Sequence, residues 1–297
     1  MARGPGVAIL RRSTLRLTAV PIYQILGAAA LAAAVAITSW SLRLLTFSGA
    51  LAAFVTGFFI FASGGIPLAV PLLVFFLSGS ILSRVGTGRK ALAALRQEKG
   101  ASRDIWQVLA NGSVPTLLAV AYHTSHHDRI AVLLYLAALA AANADTWATE
   151  IGGLWKGRPR LVTTLRHVEP GTSGGVTALG FGASLAGACV IAASAWLVWP
   201  LFPPELRWWR VDAPELMTVA WCGFLGSYAD SVLGAAVQVQ YRCSVCHMAT
   251  ERPFHCNAPC EAARGWRWVN NDVVNLWAIT LATAFAWVLL RYFAYPA

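Results

Sequence analysis

Eight stretches of this chain read as candidate membrane spans, at residues 22–40, 46–62, 66–83, 108–122, 130–148, 173–200, 214–238 and 272–293. Most are near the roughly 20 apolar residues that a helix needs to cross about 30 Å of hydrocarbon. Little polar sequence is left between them. With 57% hydrophobic and 12% charged residues among 297, and a mean hydropathy of +0.59, the chain cannot cover a soluble globule with a polar skin. The fold class expected is an all-α polytopic integral membrane protein, one membrane domain over residues 1–297 with about seven to eight transmembrane helices. One early segment is a candidate for a re-entrant path, because Leu45 to Leu72 carries Gly49, Gly57, Gly64, Gly65, Pro67 and Pro71. The fourth span is short and holds Asn111, Gly112 and Pro115.

The net charge of +10 does not mark a nucleic-acid binder, since the basic residues fall between apolar runs rather than along one soluble stripe. It marks orientation. Arg84, Arg89, Lys90, Arg96, Lys99 and Arg103 make the 84–107 loop cytoplasmic by the positive-inside rule. Crossing the membrane twice returns to Lys156, Arg158, Arg160 and Arg166, and twice more to Arg242, Arg252, Arg264 and Arg267. The opposite loops hold Arg129, then Arg207 and Arg210, then Arg291. Arg3, Arg11, Arg12 and Arg16 also favour the cytoplasm, yet three full spans before Arg84 would put them outside. Either one early segment is re-entrant or the rule fails there. The Arg-then-apolar start reads as an uncleaved anchor. Trp196, Trp199, Trp208, Trp209, Trp287, Tyr292, Phe293 and Tyr295 read as anchors at the outer interface. A bacterial-type inner (plasma) membrane, with the reactive face in the cytoplasm, is the location implied.

Against that frame three acids stand out. Asp145, Asp230 and Asp272 lie in or at the edge of apolar segments, where a carboxylate costs roughly 2.5 to 3.5 kcal/mol and persists where it has a partner or a task. The topology brings all three to one face. Asn111 and Gly112 open the fourth span there, and Thr149 and Glu150 close the fifth. Pro170, Gly171, Thr172, Ser173, Gly174 and Gly175 open the sixth, Ser231 follows Asp230, and Asn270, Asn271 and Asn275 surround Asp272. Ala144-Asp145-Thr146 and Ala229-Asp230-Ser231 echo one another late in two helices that run the same way, as in a parallel repeat. Asp145 and Thr149 share a helix face, whereas Glu150 lies about 140° round from Asp145 and suits a cap or an arginine partner.

The chemistry suggested is magnesium and phosphate. A Gly-rich turn at a helix start offers N–H groups and the positive dipole end, with hydroxyls from Thr172 and Ser173. Mg2+ keeps its waters and needs one or two carboxylates plus phosphate oxygens, for which Asp145 and Asp230 are the best candidates. Asp272 has N-capping of the last helix as its alternative. The 240–268 loop, expected in the cytoplasm, holds Cys243-x2-Cys246 and Cys256-x3-Cys260, with His247 and His255 nearby, a ligand set for a structural Zn2+ knuckle. Reduced thiols are the plainer alternative. Cys189 and Cys222 read as packing residues, and His123, His126, His127 and Asp128 as a solvated loop on the opposite face.

Five strings together resemble a known family: RDIWQVLANG from Arg103, ADTWATEIG from Ala144, VEPGTSGGV from Val168, GSYADSVLG from Gly226 and RGWRWVNNDVVN from Arg264. The family is domain of unknown function 92, membrane proteins that include transmembrane protein 19 and the plant phytyl-phosphate kinase. The resemblance implies a polytopic fold and transfer of a nucleotide's terminal phosphoryl group to a prenyl monophosphate. Its polar motifs fall on Arg103, Gln107, Asn111, Asp145, Thr149, Glu150, Gly171, Thr172, Gly174, Asp230, Asn270, Asn271 and Asp272, with Ser173 where Asn is expected. No Walker-type Gly-Lys-Ser/Thr run or kinase His-Arg-Asp string occurs, so any such transfer uses a membrane-built site. On that reading Asp145 and Asp230 hold Mg2+, the Gly171 turn cradles a phosphate, Asn111, Asn270 and Asn271 position oxygens, and Arg103 or Lys90 offsets developing charge. The co-substrate is a nucleoside triphosphate. A proton-coupled transporter or lipid flippase, and a CTP-dependent lipid cytidylyltransferase, are the alternatives.

Overall fold

The computed structural model describes residues 20–88, 90, 96, 102–125, 128–198 and 212–294. Arg3, Arg11, Arg12, Arg16, Arg89, Lys99, His126, His127, Trp199, Arg207, Trp208, Trp209, Arg210 and Tyr295 lie outside the described residues. Seven α-helices carry the fold among those described: α1 (Ile22–Ser41), α2 (Phe47–Arg84), α3 (Ile105–Thr124), α4 (Arg129–Gly152), α5 (Ala178–Val198), α6 (Ala213–Ala236) and α7 (Asn271–Leu289). All but α3, which carries Gln107, Asn111 and Gly112, are long and apolar enough to cross a membrane.

The break expected near Gly64 and Gly65 is present, and it joins two spans into one element. Gly65 has φ 63° and ψ −156° inside the 38-residue α2, a region open essentially to glycine alone. There the helix folds back. Gly49 in the first limb and Gly79 in the second both lie against Arg103, and Arg84 Nη2 donates to Leu42 O at 2.7 Å. The tip reaches the level of the first turn of α1, where Gln24 Nε2 donates to Ala62 O at 2.9 Å. The two limbs therefore run antiparallel, and the start of α1 lies at the end of the bundle away from Arg103.

Helix α4 is the hub. Every residue from Ala131 to Ala144 is buried, which its composition allows: a helix rich in alanine lets neighbours close in from all sides, and in a membrane such close packing substitutes for a hydrophobic driving force. Helix α6 lies parallel to it, with Gly223 against Ala140 and Gly226 against Ala141. Helix α5 lies antiparallel, with Gly152 against Gly180 and Gly187 against Asn143. Asn143, fully buried, donates to Gly187 O at 2.7 Å and accepts from Ser78 Oγ at 3.1 Å. It thereby ties the second limb of α2 and α5 to the hub.

The bundle's ends differ. At the far end Arg129 bridges Asp212 at 3.1 Å and Glu215 at 2.7 Å, and Trp196, Trp287 and Tyr292 stand exposed, as interfacial anchors do. At the near end, β1 (Arg160–Leu161) pairs with β2 (Gly175–Val176). A second sheet has the order β4 (Ala249–Thr250), β3 (Gln240–Cys243), β6 (Ala258–Arg264), β5 (Phe254–His255). The Cys-rich loop is thus a small antiparallel sheet.

Candidate functional site

Helix register explains why two acids distant in sequence become neighbours. Asp145 lies sixteen residues beyond Arg129 and Asp230 fifteen beyond Glu215, and those two ion-paired residues hold the parallel helices level at the far end. At 1.5 Å per residue both acids sit about 23 Å further along. The glycine contacts keep that register, since each acid lies four residues past the Ala141–Gly226 contact. Asp145, Asp230, Asn111 and Asn275 then line one small cavity between α3, α4, α6 and α7.

The donors there are oxygen-rich. Among the described residues, the buried oxygens Asp230 Oδ2 and Asn275 Oδ1 have no hydrogen-bond partner, and Asp145 and Glu251 act electrostatically on Asp230. Carboxylate and amide oxygens converging in this way could hold a hard divalent cation. Asp272 is also buried, one turn before Asn275 on the same face of α7. It does not cap that helix: Asn270 does, its Oδ1 accepting from Val273 N at 3.1 Å.

A second space opens beside the first. Helices α1, α2 and α3 border an apolar cleft of about 90 Å³, lined by groups such as Val35, Ala53, Phe61 and Leu72, with Arg103, Gln107 and Asn111 among its few polar residues. Asn111 lines both spaces, and its Nδ2 donates to Gln107 O at 2.9 Å. Gln107 closes a capping box with Asp104, at 3.1 Å and 2.9 Å. Arg103 is held by its backbone, Thr46 N donating to its carbonyl at 3.0 Å. Its guanidinium sits over Phe75 and Phe76, at 5.7 and 5.9 Å from the ring centroids.

The other residues singled out in the sequence gather at the same end, in roles the sequence does not display. Glu150 is ion-paired with Lys90, a lysine where an arginine was expected. The Gly171 turn does not open a helix. α5 begins at Ala178 behind β2, capped by Thr177, whose Oγ1 accepts from Gly180 N at 3.0 Å. Within the turn, Thr172 N donates to Glu169 O and Gly175 N to Thr172 O. Thr149 is exposed, and Ser231, Asn271 and Gly174 are at most partly exposed at this end.

Glu251 is the residue that sequence reading missed. Its Oε1 accepts from Ser173 Oγ at 2.6 Å and from Gln238 Nε2 at 2.8 Å, while its N–H donates to Arg96 O at 2.8 Å. Arg264 Nη2 reaches Ser173 O and Gly234 O, each at 3.4 Å. The turn, the end of α6, the basic loop and the Cys-rich sheet are thereby joined. In that sheet the ligand atoms of Cys243, Cys246, His255 and Cys256 lie within 4.8 Å of one another, and Cys260 is the cross-strand partner of Cys243. N–H donation from Cys246 draws the Cys243 thiol down to about 6, with burial opposing.

Among known proteins, the family described as integral membrane protein DUF92 matches residues 30–283. Protein PGR of Arabidopsis thaliana is 31% identical over 249 residues, covering 78% of this chain and 85% of its own length. An uncharacterized membrane protein of Methanocaldococcus jannaschii is 31% identical over 193 residues, covering 65% and 74%. Another, from Synechocystis, is 25% identical over 235 residues, covering 78% of each chain. No solved structure matches this chain.

Proposed function

The chain belongs to the integral membrane protein family DUF92, and from that premise we propose that it transfers the terminal phosphoryl group of a nucleoside triphosphate to a membrane prenyl monophosphate, giving the lipid diphosphate. One observation carries the reading: the apolar cleft and the carboxylate cavity share Asn111. An acceptor with a long hydrocarbon tail and an anionic head has two ends to satisfy, and these spaces suit them in that order. The cleft is lined mainly by apolar side chains, as small-molecule sites are. Its polar residues, Arg103, Gln107 and Asn111, suit a phosphate head.

An acceptor phosphate is ionised near neutral pH, so the step needs alignment and charge neutralisation more than a general base. Asp230 Oδ2 and Asn275 Oδ1, buried and accepting no hydrogen bond among the described residues, would hold Mg2+ together with the neighbouring Asp145. When bound there, Mg2+ supplies neutralisation of phosphate charge. Arg103 has its guanidinium over two aromatic rings and offsets charge at the head. Lys90 is engaged by Glu150 and is the weaker candidate for that task. Ser173 and Thr172 offer hydroxyls from the turn, with Glu251 fixing Ser173. The arginines and lysines of the loops at this end support a cytoplasmic orientation.

Purified protein in detergent, given phytyl phosphate, Mg2+ and labelled nucleotide, is expected to yield lipid diphosphate and nucleoside diphosphate. Pyrophosphate release would turn the assignment to cytidylyl transfer. An absence of turnover, with lipid moved across the bilayer in proteoliposomes, would turn it to a carrier.

A further inference from the structure

We propose that Cys243, Cys246, His255 and Cys256 bind a structural Zn2+ that holds the small sheet, and with it Glu251, against the Ser173 turn. Residues 240–264 form four strands, two of them only two residues long, and within that segment only Cys243 and Thr250 are buried. A sheet of this size has no apolar core of its own, and segments of that kind depend on a staple.

The geometry supplies one. The four ligand atoms come from two turns that meet across the sheet, and His255 Nδ1 lies 3.4 Å from Cys246 Sγ and 3.2 Å from Cys256 Sγ. Bond lengths of about 2.3 Å to sulfur and 2.0–2.1 Å to nitrogen around a tetrahedral centre put neighbouring ligand atoms about 3.5–3.8 Å apart, so only small shifts close the site. Both turns use left-handed backbone at residues other than glycine, with φ 58° at His247, 53° at Cys256 and 57° at Asn257, a conformation that persists where something over-determines it. Val245 N and Cys246 N lie 3.4 and 3.5 Å from Cys243 Sγ, donors that stabilise a metal-bound thiolate. Three sulfurs and one imidazole select a soft, tetrahedral ion.

The ligand set differs from the four cysteines read from sequence spacing. His255 takes the fourth position and Cys260 stays outside it. The ion's consequence lies one residue beyond β4, where Glu251 accepts from Ser173 and Gln238. The proposal is independent of the reaction assigned above, since its readout is metal.

Full-length protein purified without a metal-affinity tag is analysed for metal by mass spectrometry and for thiol reactivity by alkylation and peptide mapping. Stoichiometric zinc is expected, with Cys243, Cys246 and Cys256 protected until a chelator is added. Cys260→Ser is expected to retain the ion, whereas Cys246→Ser and His255→Ala lose it. Co2+ substitution is expected to give the intense visible bands of a four-coordinate thiolate site. Metal-free wild type that stays so after incubation with Zn2+, with all four loop thiols alkylated at equal rates, overturns the proposal and needs no variant to fold. Retention in His255→Ala with loss in Cys260→Ser overturns the ligand set.

Discussion

Asp145 and Asp230 face each other across a cavity that removes much of their hydration, so each destabilises the folded chain until a cation or proton offsets it. Asparagine keeps the shape and removes the charge. Asp145→Asn and Asp230→Asn are therefore expected to insert normally and to melt in detergent at or above the wild-type temperature without Mg2+. The wild type is expected to gain stability as Mg2+ is added, because ligands of the native state stabilise it by mass action; the variants are expected to lose that rise. Turnover should fall by about 10²- to 10³-fold or more, as for loss of a principal electrostatic group. Thermal unfolding with and without Mg2+, followed by the nucleotide assay, checks both; a variant that keeps the Mg2+ response and full turnover sinks the metal assignment. These acids were legible in the sequence because a carboxylate in an apolar run is anomalous. Glu251 was not, because an acid in a polar, Cys-rich loop is ordinary. Only the fold brings it to Ser173, 78 positions away. His255 was visible as a nearby ligand type but not as the group whose ring nitrogen joins the Cys246 and Cys256 sulfurs.

At the scale of elements, the spans and the break at Gly65 could be read from hydropathy and from the Gly-Gly-x-Pro run, because apolar length and helix-breaking residues act locally. Register could not. It depends on which small residues meet, and the sequence contains many. The Gly171 turn shows the same limit: it has the composition of a helix start, yet its N–H groups close on Glu169 and Thr172, and the helix waits for Thr177. The contact that sets the site's register is testable. A Cβ built on Gly226 falls 2.7 Å from Ala141 Cβ and 2.8 Å from Ala282 Cβ, so α6 must retreat from both α4 and α7. Gly226→Leu is expected to cost about 1–3 kcal/mol or more by overpacking and to abolish Mg2+ stabilisation by parting Asp230 from Asp145. Gly182, with none of the described residues near its Cβ position, is the matched control: Gly182→Leu should melt and respond to Mg2+ as the wild type does. Equal behaviour of the two variants would show that the α4–α6 contact does not set the site.

The whole molecule divides its labour between a rigid hub and a thinner flank. Helix α4 is enclosed on every side and carries Asp145 at the end of its buried run, whereas α1 has only four buried residues and packs on the folded-back α2. The apolar cleft lies on that flank, between α1, α2 and α3. The lining of the cleft and that of the acids' cavity have Asn111 in common, so a tail in the cleft adjoins the acids' surroundings at that residue. Away from it, chain-length selectivity and chemistry should separate on mutation. Leu31 lines the cleft beside Ala32, which meets Gly57 two turns beyond the Gly49–Arg103 contact, and Leu31→Trp fills part of it. Each methylene excluded from an apolar pocket is worth about 1 to 3 kcal/mol in discrimination. The variant is expected to raise KM for a twenty-carbon prenyl phosphate by at least about tenfold, while KM for a five-carbon one and kcat for both stay near wild type. Steady-state kinetics across a prenyl series measures this, with the Mg2+-dependent thermal shift as a control that should not move. Equal KM changes for long and short acceptors would mean that the tail lies elsewhere, and the assignment of the cleft would fall with them.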